Sequence, residues 1–129
     1  MHEEGRDDPE RLASIIVDAG LKVHRTLGPG LLESAYEHCL SYELQTRFLL
    51  VERQVSLPIR YNGAQLDAGY RLDLLVGKAI IVEVKAVETL TPVHHAQLLT
   101  YLKLSGCHIG FLMNFHVALF TQGLKRLVL

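Results

Sequence analysis

The order of apolar and polar residues predicts that the chain begins with a helix buried along one side. Leu12, Ile16 and Ala19 recur at three- and four-residue spacing, which is the period of one helical face. The segment from Asp8 to Glu10 supplies an N-cap side chain, a proline suited to the first helical position and an acid in the first turn. Because Gly28-Pro29-Gly30 stops the pattern, the helix should end just before it.

A second helix is predicted from about Leu31 to Arg47, with an apolar stripe that includes Leu32, Ala35, Cys39, Leu40 and Leu44. Glu33, Tyr36 and Glu37 share one face of this helix, because residues three and four apart are neighbours. This face has two interpretations. Either the acids complement the helix dipole and the tyrosine belongs to the core, or the three side chains face a functional site.

Extended segments follow over Phe48–Val55 and Leu57–Tyr61. Asn62-Gly63 is a strong signal for a hairpin turn, because both residues tolerate a positive φ. Gln65–Tyr70 then leads into the segment with the most informative charge pattern, Arg71–Lys85.

Two apolar runs in Arg71–Lys85 flank a Gly-Lys-Ala break, which predicts two antiparallel strands joined by a tight turn. Each run carries charge where a buried strand should carry none: Asp73 in the first, Glu83 and Lys85 in the second. A two-residue turn would put Asp73 on the face away from Glu83. A three-residue turn, Gly77–Ala79, or a single bulge would put the two carboxylates side by side. We predict the second arrangement, because it gathers all three charges on one face.

Two adjacent carboxylates and the backbone carbonyl of Val84 would form an oxygen-only site suited to a hard cation such as Mg²⁺. Lys85 would then lie beside the metal, where it can orient a water or stabilise charge on a phosphate. The alternative is a structural ion pair between Lys85 and either acid, since buried charges are costly unless they are paired.

A third helix is predicted from Thr91 to about Leu104. Gln97 and Tyr101 share one of its faces, where they either reach a nearby site or edge the core. Short strands are predicted over Ile109–Asn114, Val117–Thr121 and Lys125–Leu129. The order ααβββαββ indicates an α+β fold, α/β-sandwich-like, with a mixed central sheet flanked by helices. We expect one domain over residues 9–129, with residues 1–8 frayed.

Composition narrows the class of protein. With 129 residues, of which 49% are hydrophobic and 21% charged, the chain has the size and composition of one folded domain. Its formal net charge is −1 and its Lys and Arg residues are scattered, so no basic stripe indicates a tight non-specific DNA binder. No apolar run has the length of a membrane span. Cys39 and Cys107 lack metal-ligand spacing, so we expect small core residues of a cytoplasmic protein, neither a zinc site nor a disulfide.

The run from Gly30 to Tyr36, Gly-Leu-Leu-Glu-Ser-Ala-Tyr, resembles the signature of the GxxExxY protein family. The similarity continues through Val51–Val55, Tyr70–Asp73, Ile81–Lys85, Leu90–Val93 and Gln97–Leu102. That family is similar to the PD-(D/E)XK nuclease-like superfamily, so the resemblance implies a restriction-endonuclease-like fold.

The resemblance also implies roles for individual residues. Asp73 matches the motif aspartate, with Leu72 where the motif has proline, and Glu83 with Lys85 matches the (D/E)-x-K. Glu33 matches an acid that some members contribute from the first core helix. The Gln-x-x-x-Tyr of the exonuclease-like members is matched by Gln97 and Tyr101.

These features predict a nuclease that hydrolyses DNA or RNA with Mg²⁺ or Mn²⁺. Its expected metal ligands are Asp73, Glu83, Val84 (through its carbonyl) and Glu33. Lys85 and Gln97 would position water and phosphate. The residues expected to support the site from outside the metal's ligands are Tyr36, Tyr101 and Arg71.

The competing prediction is a non-catalytic module that retains the fold and binds nucleic acid or protein. The near-neutral charge and the small surface of a lone domain favour this module, whereas a homodimer would supply the surface that a nuclease needs. A zinc protein built from scattered His and Cys has no ligand spacing to support it.

Overall fold

A computed structural model of the protein describes residues 8–129. Over this range the chain forms three helices, which are α1 (Pro9–Leu27), α2 (Glu33–Thr46) and α3 (Pro92–Ser105). It also forms seven strands: β1 (Val51–Ser56), β2 (Ile59–Tyr61), β3 (Ala64–Leu66), β4 (Arg71–Val76), β5 (Ile80–Lys85), β6 (Ile109–Asn114) and β7 (Leu124–Val128). None of the described helices is long and apolar enough to cross a membrane.

Five strands form one mixed sheet in the order β1-β4-β5-β6-β7. Only the β5–β6 pair is parallel, because α3 carries the chain across the sheet between these two strands. The strands β2 and β3 form a separate hairpin, whose turn residues Asn62 and Gly63 have φ of 49° and 80°. The elements of the main sheet and its helices therefore follow the predicted order ααβββαββ, and the α+β class is confirmed.

Helices cover both faces of the sheet and bury two apolar cores. Helices α1 and α2 pack on one face, where the core residues include Ile16, Leu40, Leu74, Val82 and Phe111. Helix α3 packs on the other face, where the core residues include Leu72, Ile81, Leu98, Leu102 and Leu112. Strand β5 is buried on both faces, as expected of a central strand.

The first helix begins and ends as its sequence predicts. The Asp8 side chain accepts a hydrogen bond from the Glu10 N–H at 3.0 Å, and Gly28, with φ of 68°, follows the last helical residue. The predicted fraying of residues 1–8 concerns mainly residues 1–7, which lie outside the described residues.

The prediction for the buried face of α2 was wrong in part. Leu32 is 78% exposed and Cys39 is exposed, although Leu40 and Leu44 of the predicted stripe are buried. The reason is Tyr36, whose ring stacks on Phe115 at 4.7 Å between centroids and turns the Tyr36–Leu40–Leu44 face toward the core. Cys39 is therefore not the core residue that we expected, whereas Cys107 is half-buried.

The predicted strand over Val117–Thr121 was also wrong. The Asn114 side chain accepts the His116 N–H at 3.2 Å, which turns the chain away from β6 as soon as that strand ends. A short 3₁₀ helix, Phe120–Gly123, follows, and it brings Gly123 so close to Asn114 that a Cβ at Gly123 would lie 2.0 Å from the Asn114 carbonyl oxygen. The final strand β7 matches the predicted Lys125–Leu129 strand to within a residue.

Candidate metal centre

The β4–β5 hairpin has the register that the charge pattern predicted. Val76 pairs with Ile80, so three residues, Gly77–Ala79, form the turn. Gly77 and Lys78 both have positive φ, of 59° and 55°, and the Ala79 N–H donates to the Val76 carbonyl at 3.0 Å. When this register is continued along the strands, Asp73 lies opposite Glu83 and on the same face.

The two carboxylates are bonded to each other's strands. The Asp73 N–H donates to Glu83 Oε2 at 2.8 Å, and the Val84 N–H donates to Asp73 Oδ2 at 2.9 Å. Paired backbone positions between β4 and β5 end at Leu74 and Val82. Beyond these positions, hydrogen bonds from backbone N–H groups to the Asp73 and Glu83 side chains replace main-chain pairing, and the strand ends diverge.

The neighbouring strand is also distorted at this level. Residues Val51–Arg53 and Val55–Ser56 of β1 pair with β4, but Gln54, which would lie opposite Asp73, does not. Gln54 has φ of 52°, a strained value for a non-glycine residue that is often found at functional sites. On either side of Asp73, the side chains of β4 face different cores: Leu72 packs in the α3 core, whereas Leu74 packs in the α1–α2 core.

The carbonyl of Val84 lies on the edge of β5 that faces the carboxylates. The Lys85 carbonyl accepts from the Phe115 N–H at 2.9 Å and so points toward β6. Successive carbonyls of a strand point to opposite sides, and the Val84 N–H points toward β4. The Val84 carbonyl therefore points toward β4 as well, on the side of Asp73.

The carboxylates have raised pKa values. Burial raises the pKa of Glu83 to about 8, and the negative charge of Asp73 is the next cause. Burial raises the pKa of Asp73 to about 6, against the opposing effect of the Val84 N–H, and the Glu37 charge raises it further. Repulsion between the carboxylates thus contributes to the raised pKa values, but burial is the larger cause. Glu83 is only 3% exposed, so water cannot stabilise its negative charge, whereas a bound cation would.

Lys85 lies near both carboxylates without pairing with either. Its charge lowers the pKa of both Asp73 and Glu83. Among residues 8–129, however, no ion pair within 4.0 Å joins Lys85 to an acid. Within this range, Lys85 is therefore not held in a structural ion pair.

Glu33 is exposed and lies at the end of β5, where its Oε1 accepts the Ala86 N–H at 3.2 Å. Its charge contributes to the raised pKa of Asp73, as the smallest of the causes. In the part of the chain that the structure describes, no three His, Cys, Asp or Glu side chains are close enough to hold a metal together. The expected grouping of Glu33 with Asp73 and Glu83 is therefore not present in this conformation.

A cluster around Glu37 adjoins Asp73, and two of its members, Arg53 and Gln54, were not among the predicted site residues. Glu37 is 6% exposed and accepts from Arg53 at 3.0 Å and, through both carboxylate oxygens, from Gln54 Nε2 at 3.0 Å. Gln54 Nε2 also approaches Asp73 Oδ1 at 3.4 Å. The available signal was that Glu33 and Glu37 lie one turn apart on α2, together with the polar residues inside the Val51–Val55 strand.

The remaining predicted site residues are divided between two places. Tyr101 is 5% exposed, and burial, followed by the charges of Glu83 and Asp73, raises the pKa of its hydroxyl to about 12. Gln97 is half-buried one turn away and lines a cleft with Tyr101. The hydroxyl of Tyr36 instead donates to the Gly28 carbonyl at 2.5 Å and accepts from the Leu31 N–H at 3.1 Å. Arg71 donates to Ser56 Oγ at 3.2 Å. Tyr36 and Arg71 are therefore both held in structural contacts.

The donors present at the Asp73–Glu83 pair fit a hard divalent cation. Mg²⁺ typically takes one or two carboxylates and retains several waters, and Mn²⁺ also suits carboxylate and carbonyl oxygen. Two carboxylates with raised pKa values and one carbonyl on the same strand edge meet this requirement. The site lies where α2, the diverging ends of β4 and β5, and α3 meet.

Comparison with known proteins gives one match. A family model described as the PD-(D/E)XK nuclease superfamily matches residues 10–127. No curated protein and no solved structure matches the chain significantly.

Proposed function

The chain belongs to the PD-(D/E)XK nuclease superfamily, and from that premise we propose that it is a metal-dependent nuclease that hydrolyses phosphodiester bonds of DNA or RNA. The observation that carries this proposal is the half-buried Asp73 beside the buried Glu83, both with raised pKa values. Within residues 8–129, Lys85 lies beside this pair and forms no ion pair of its own. Buried carboxylates with no compensating cation are typical of functional sites.

Asp73, Glu83 and the carbonyl of Val84 would hold Mg²⁺ or Mn²⁺, without Glu33, whose carboxylate accepts the Ala86 N–H at the end of β5. When bound, the metal would act as a Lewis acid on the phosphate and lower the pKa of a water. The hydrogen bonds from Val84 and Asp73 N–H groups orient the two carboxylates before any ligand arrives. This preorganisation lowers the cost of assembling the site.

Lys85 would orient the attacking water and stabilise the charge that develops on the phosphate, because it carries a positive charge that no described acid neutralises by direct contact. Gln97 would position water or phosphate from α3. Tyr101 would support the carboxylates through its hydroxyl, which lies within reach of both charges. In these terms the chain supplies positioning and electrostatics, which are the main demands of phosphoryl transfer.

Two finer assignments belong to the same proposal. The run from Gly30 to Tyr36 supports membership of the GxxExxY group within the superfamily. Cys39 and Cys107 are both free thiols, which supports a cytoplasmic location.

A cleavage assay tests the proposal. Wild type, Glu83→Gln and Lys85→Ala would be incubated with labelled single- and double-stranded DNA and RNA, with Mg²⁺, with Mn²⁺ and with EDTA. We expect wild type to cleave at least one substrate only when metal is present, and both variants to lose at least about 100-fold in rate. Leu99→Ala, at an exposed position of α3, is the matched control and should cleave like wild type. Absence of cleavage in wild type on every substrate would contradict the proposal.

A further inference from the structure

A surface cleft of about 320 Å³ lies between α3 and the chain that returns from the β2–β3 hairpin. Its lining includes Ile59, Tyr70, Val93, Gln97, Thr100 and Tyr101. The cleft is mainly apolar, with an amide and a hydroxyl from α3 among its walls. Pockets that bind small ligands commonly have this composition, and the volume is at the lower end of the range for ligand sites.

Tyr101 is the residue that links the cleft to the carboxylate site. This residue lines the cleft, and its hydroxyl is close enough to Glu83 and Asp73 for both charges to act on it. A ligand in the cleft would therefore extend from the place where the proposed reaction occurs.

Tyr70 presents an aromatic ring at the mouth of the cleft. It is 41% exposed, and its ring centroid lies 6.1 Å from that of Tyr101, with the planes inclined at 63°. In this edge-to-face arrangement Tyr101 can contact at most one face of the Tyr70 ring. The Tyr70 carbonyl accepts from the Leu57 N–H at 2.9 Å, so the backbone that carries this ring is held in place.

Two arginines are sequence neighbours of cleft residues, although neither lines the cleft itself. Arg60 follows Ile59 in β2 and Arg71 follows Tyr70 in β4, and both are exposed. Among the described residues, neither forms an ion pair with an acid within 4.0 Å. Because neighbouring residues of a strand point to opposite faces, these arginines could meet phosphates only outside the cleft, whereas the aromatic cleft itself offers the base contact that single-stranded nucleic acid favours.

We propose that this cleft binds one unstacked nucleobase of a single-stranded nucleic acid, stacked on Tyr70, so that the neighbouring phosphate is presented to Asp73 and Glu83. The inference rests on the proposed nuclease function and names its substrate class. A base inside a duplex is covered by its neighbours on both faces and cannot enter the cleft. Thr100 supplies a hydroxyl that can hydrogen-bond the base edge. The near-neutral net charge of −1 agrees with a short contact of this kind, since a duplex binder needs a wider basic surface.

Binding measured without cleavage tests the cleft. Fluorescence anisotropy would use the Lys85→Ala protein with Mg²⁺ and labelled eight-nucleotide strands of DNA and of RNA. The same DNA strand with abasic positions keeps the phosphates and removes the bases, and a duplex keeps both but stacks the bases. We expect the natural single strands to bind at least about 10-fold more tightly than the abasic strand or the duplex.

Variants assign this difference to Tyr70. Tyr70→Ala and Tyr70→Leu should weaken binding of the natural strand by roughly 10- to 100-fold, to the level of the abasic strand, while Tyr70→Phe should retain it. Tyr70→Leu keeps the bulk of the side chain and guards against loss of folding. Tyr42→Ala is the matched control, because Tyr42 is 68% exposed on α2 and does not line this cleft.

Three results would overturn the proposal: equal binding of the natural and abasic strands, unchanged binding by Tyr70→Ala and Tyr70→Leu, or no binding of any strand. Cleavage by wild type with a normal Tyr70→Ala variant would reject the cleft and keep the nuclease. Binding that depends on Tyr70, in a wild type that cleaves nothing, would keep the cleft and reject the nuclease. The DNA and RNA arms decide which sugar the site accepts.

Discussion

Asp73 and Glu83 are held in place by backbone N–H groups and yet remain poor places for negative charge. Each carboxylate accepts one N–H from the opposite strand, which favours its charged form, but burial raises both pKa values more than these bonds lower them. Raised pKa values are therefore what carboxylates of a cation-binding site would show. Carboxylates that stabilise the fold by pairing would instead have lowered pKa values. This contrast can be measured without any substrate.

The metal-free protein should lose stability as pH rises, because of Glu83. Below its ordinary value of 4.5 the carboxyl is neutral in both folded and unfolded chains, so this contribution is fully present. Between 4.5 and about 8 the unfolded chain releases the proton while the folded protein keeps it, so the free energy of unfolding falls with pH. We expect Glu83→Gln to remove this slope and to be more stable than wild type at pH 8, by on the order of 3 kcal/mol.

Urea unfolding of both proteins in EDTA, at pH 5 and at pH 8, would measure this difference. Glu43→Gln is the matched control, because its carboxylate pairs with Lys22 and Arg47 and has a lowered pKa. A loss of more than about 2 kcal/mol in Glu83→Gln at pH 8 would contradict the account and indicate a structural network.

Gln54 should act on Asp73 by positioning it. Its amide contacts both Glu37 and Asp73, and it is held at φ of 52°, where glycine carries no strain. We expect Gln54→Gly to relieve backbone strain and to change the free energy of unfolding by less than about 1 kcal/mol. The lost amide should weaken Mn²⁺ binding by roughly 10- to 100-fold, as is typical of groups that orient metal ligands.

Isothermal titration and chemical unfolding on the same samples would separate these two effects. Asn62→Gly is the control, because Asn62 also has a positive φ, of 49°, but lies in the β2–β3 turn. Metal affinity unchanged in Gln54→Gly would remove Gln54 from the site.

At the level of elements, the three-residue turn of the β4–β5 hairpin places the two carboxylates opposite each other. This register could be predicted from the sequence, because a two-residue turn separates Asp73 from Glu83, whereas a three-residue turn or a bulge gathers the charges on one face, and the structure has the three-residue turn. The helix boundaries could be predicted for a similar reason. Their caps are local: Asp8 and Pro9 begin α1, and Gly106, with φ of 79°, ends α3.

Features that depend on contacts between distant segments could not be predicted. The Glu37–Gln54 contact joins α2 to β1, and no local pattern specifies which of two acids on the same helix face turns inward. Val117–Thr121 has the apolar character of a strand, but the Asn114 side chain redirects the chain before it can pair. The orientation of α2 depends on stacking of Tyr36 with Phe115, nearly eighty residues away.

The close crossing of Gly123 and Asn114 gives a prediction for the C-terminal elements. A Cβ at Gly123 would lie 2.0 Å from a backbone oxygen, which cannot move aside as a flexible side chain can. We expect Gly123→Ala to reduce the free energy of unfolding by roughly 3 kcal/mol or more. Gly106→Ala meets no atom within 4 Å and has only its positive φ, so it should cost about 1 kcal/mol. Equal losses in thermal or urea unfolding would contradict this account of the crossing.

For the whole molecule, the sheet acts as a support that brings α2 and α3 to the same end of β4 and β5. Helix α2 supplies Glu33 and Glu37, and α3 supplies Gln97 and Tyr101, on either side of the strand ends. The apolar cores on the two faces of the sheet hold these helices in place. This arrangement allows a small domain to hold a charged site between its helices and still bury an apolar core on each face of the sheet.

The most direct test of the account is isothermal titration of Mn²⁺ and Mg²⁺ into wild type, Glu83→Gln and Lys85→Ala at pH 8. The account predicts one divalent cation per chain in wild type, binding weakened by at least about 10-fold in Glu83→Gln, and binding retained in Lys85→Ala. Proton release should accompany binding in wild type, because the carboxyl of Glu83, whose pKa is about 8, must ionise to hold the metal. Equal binding in wild type and Glu83→Gln, or no binding in wild type, would contradict the claim that Asp73 and Glu83 form a metal centre.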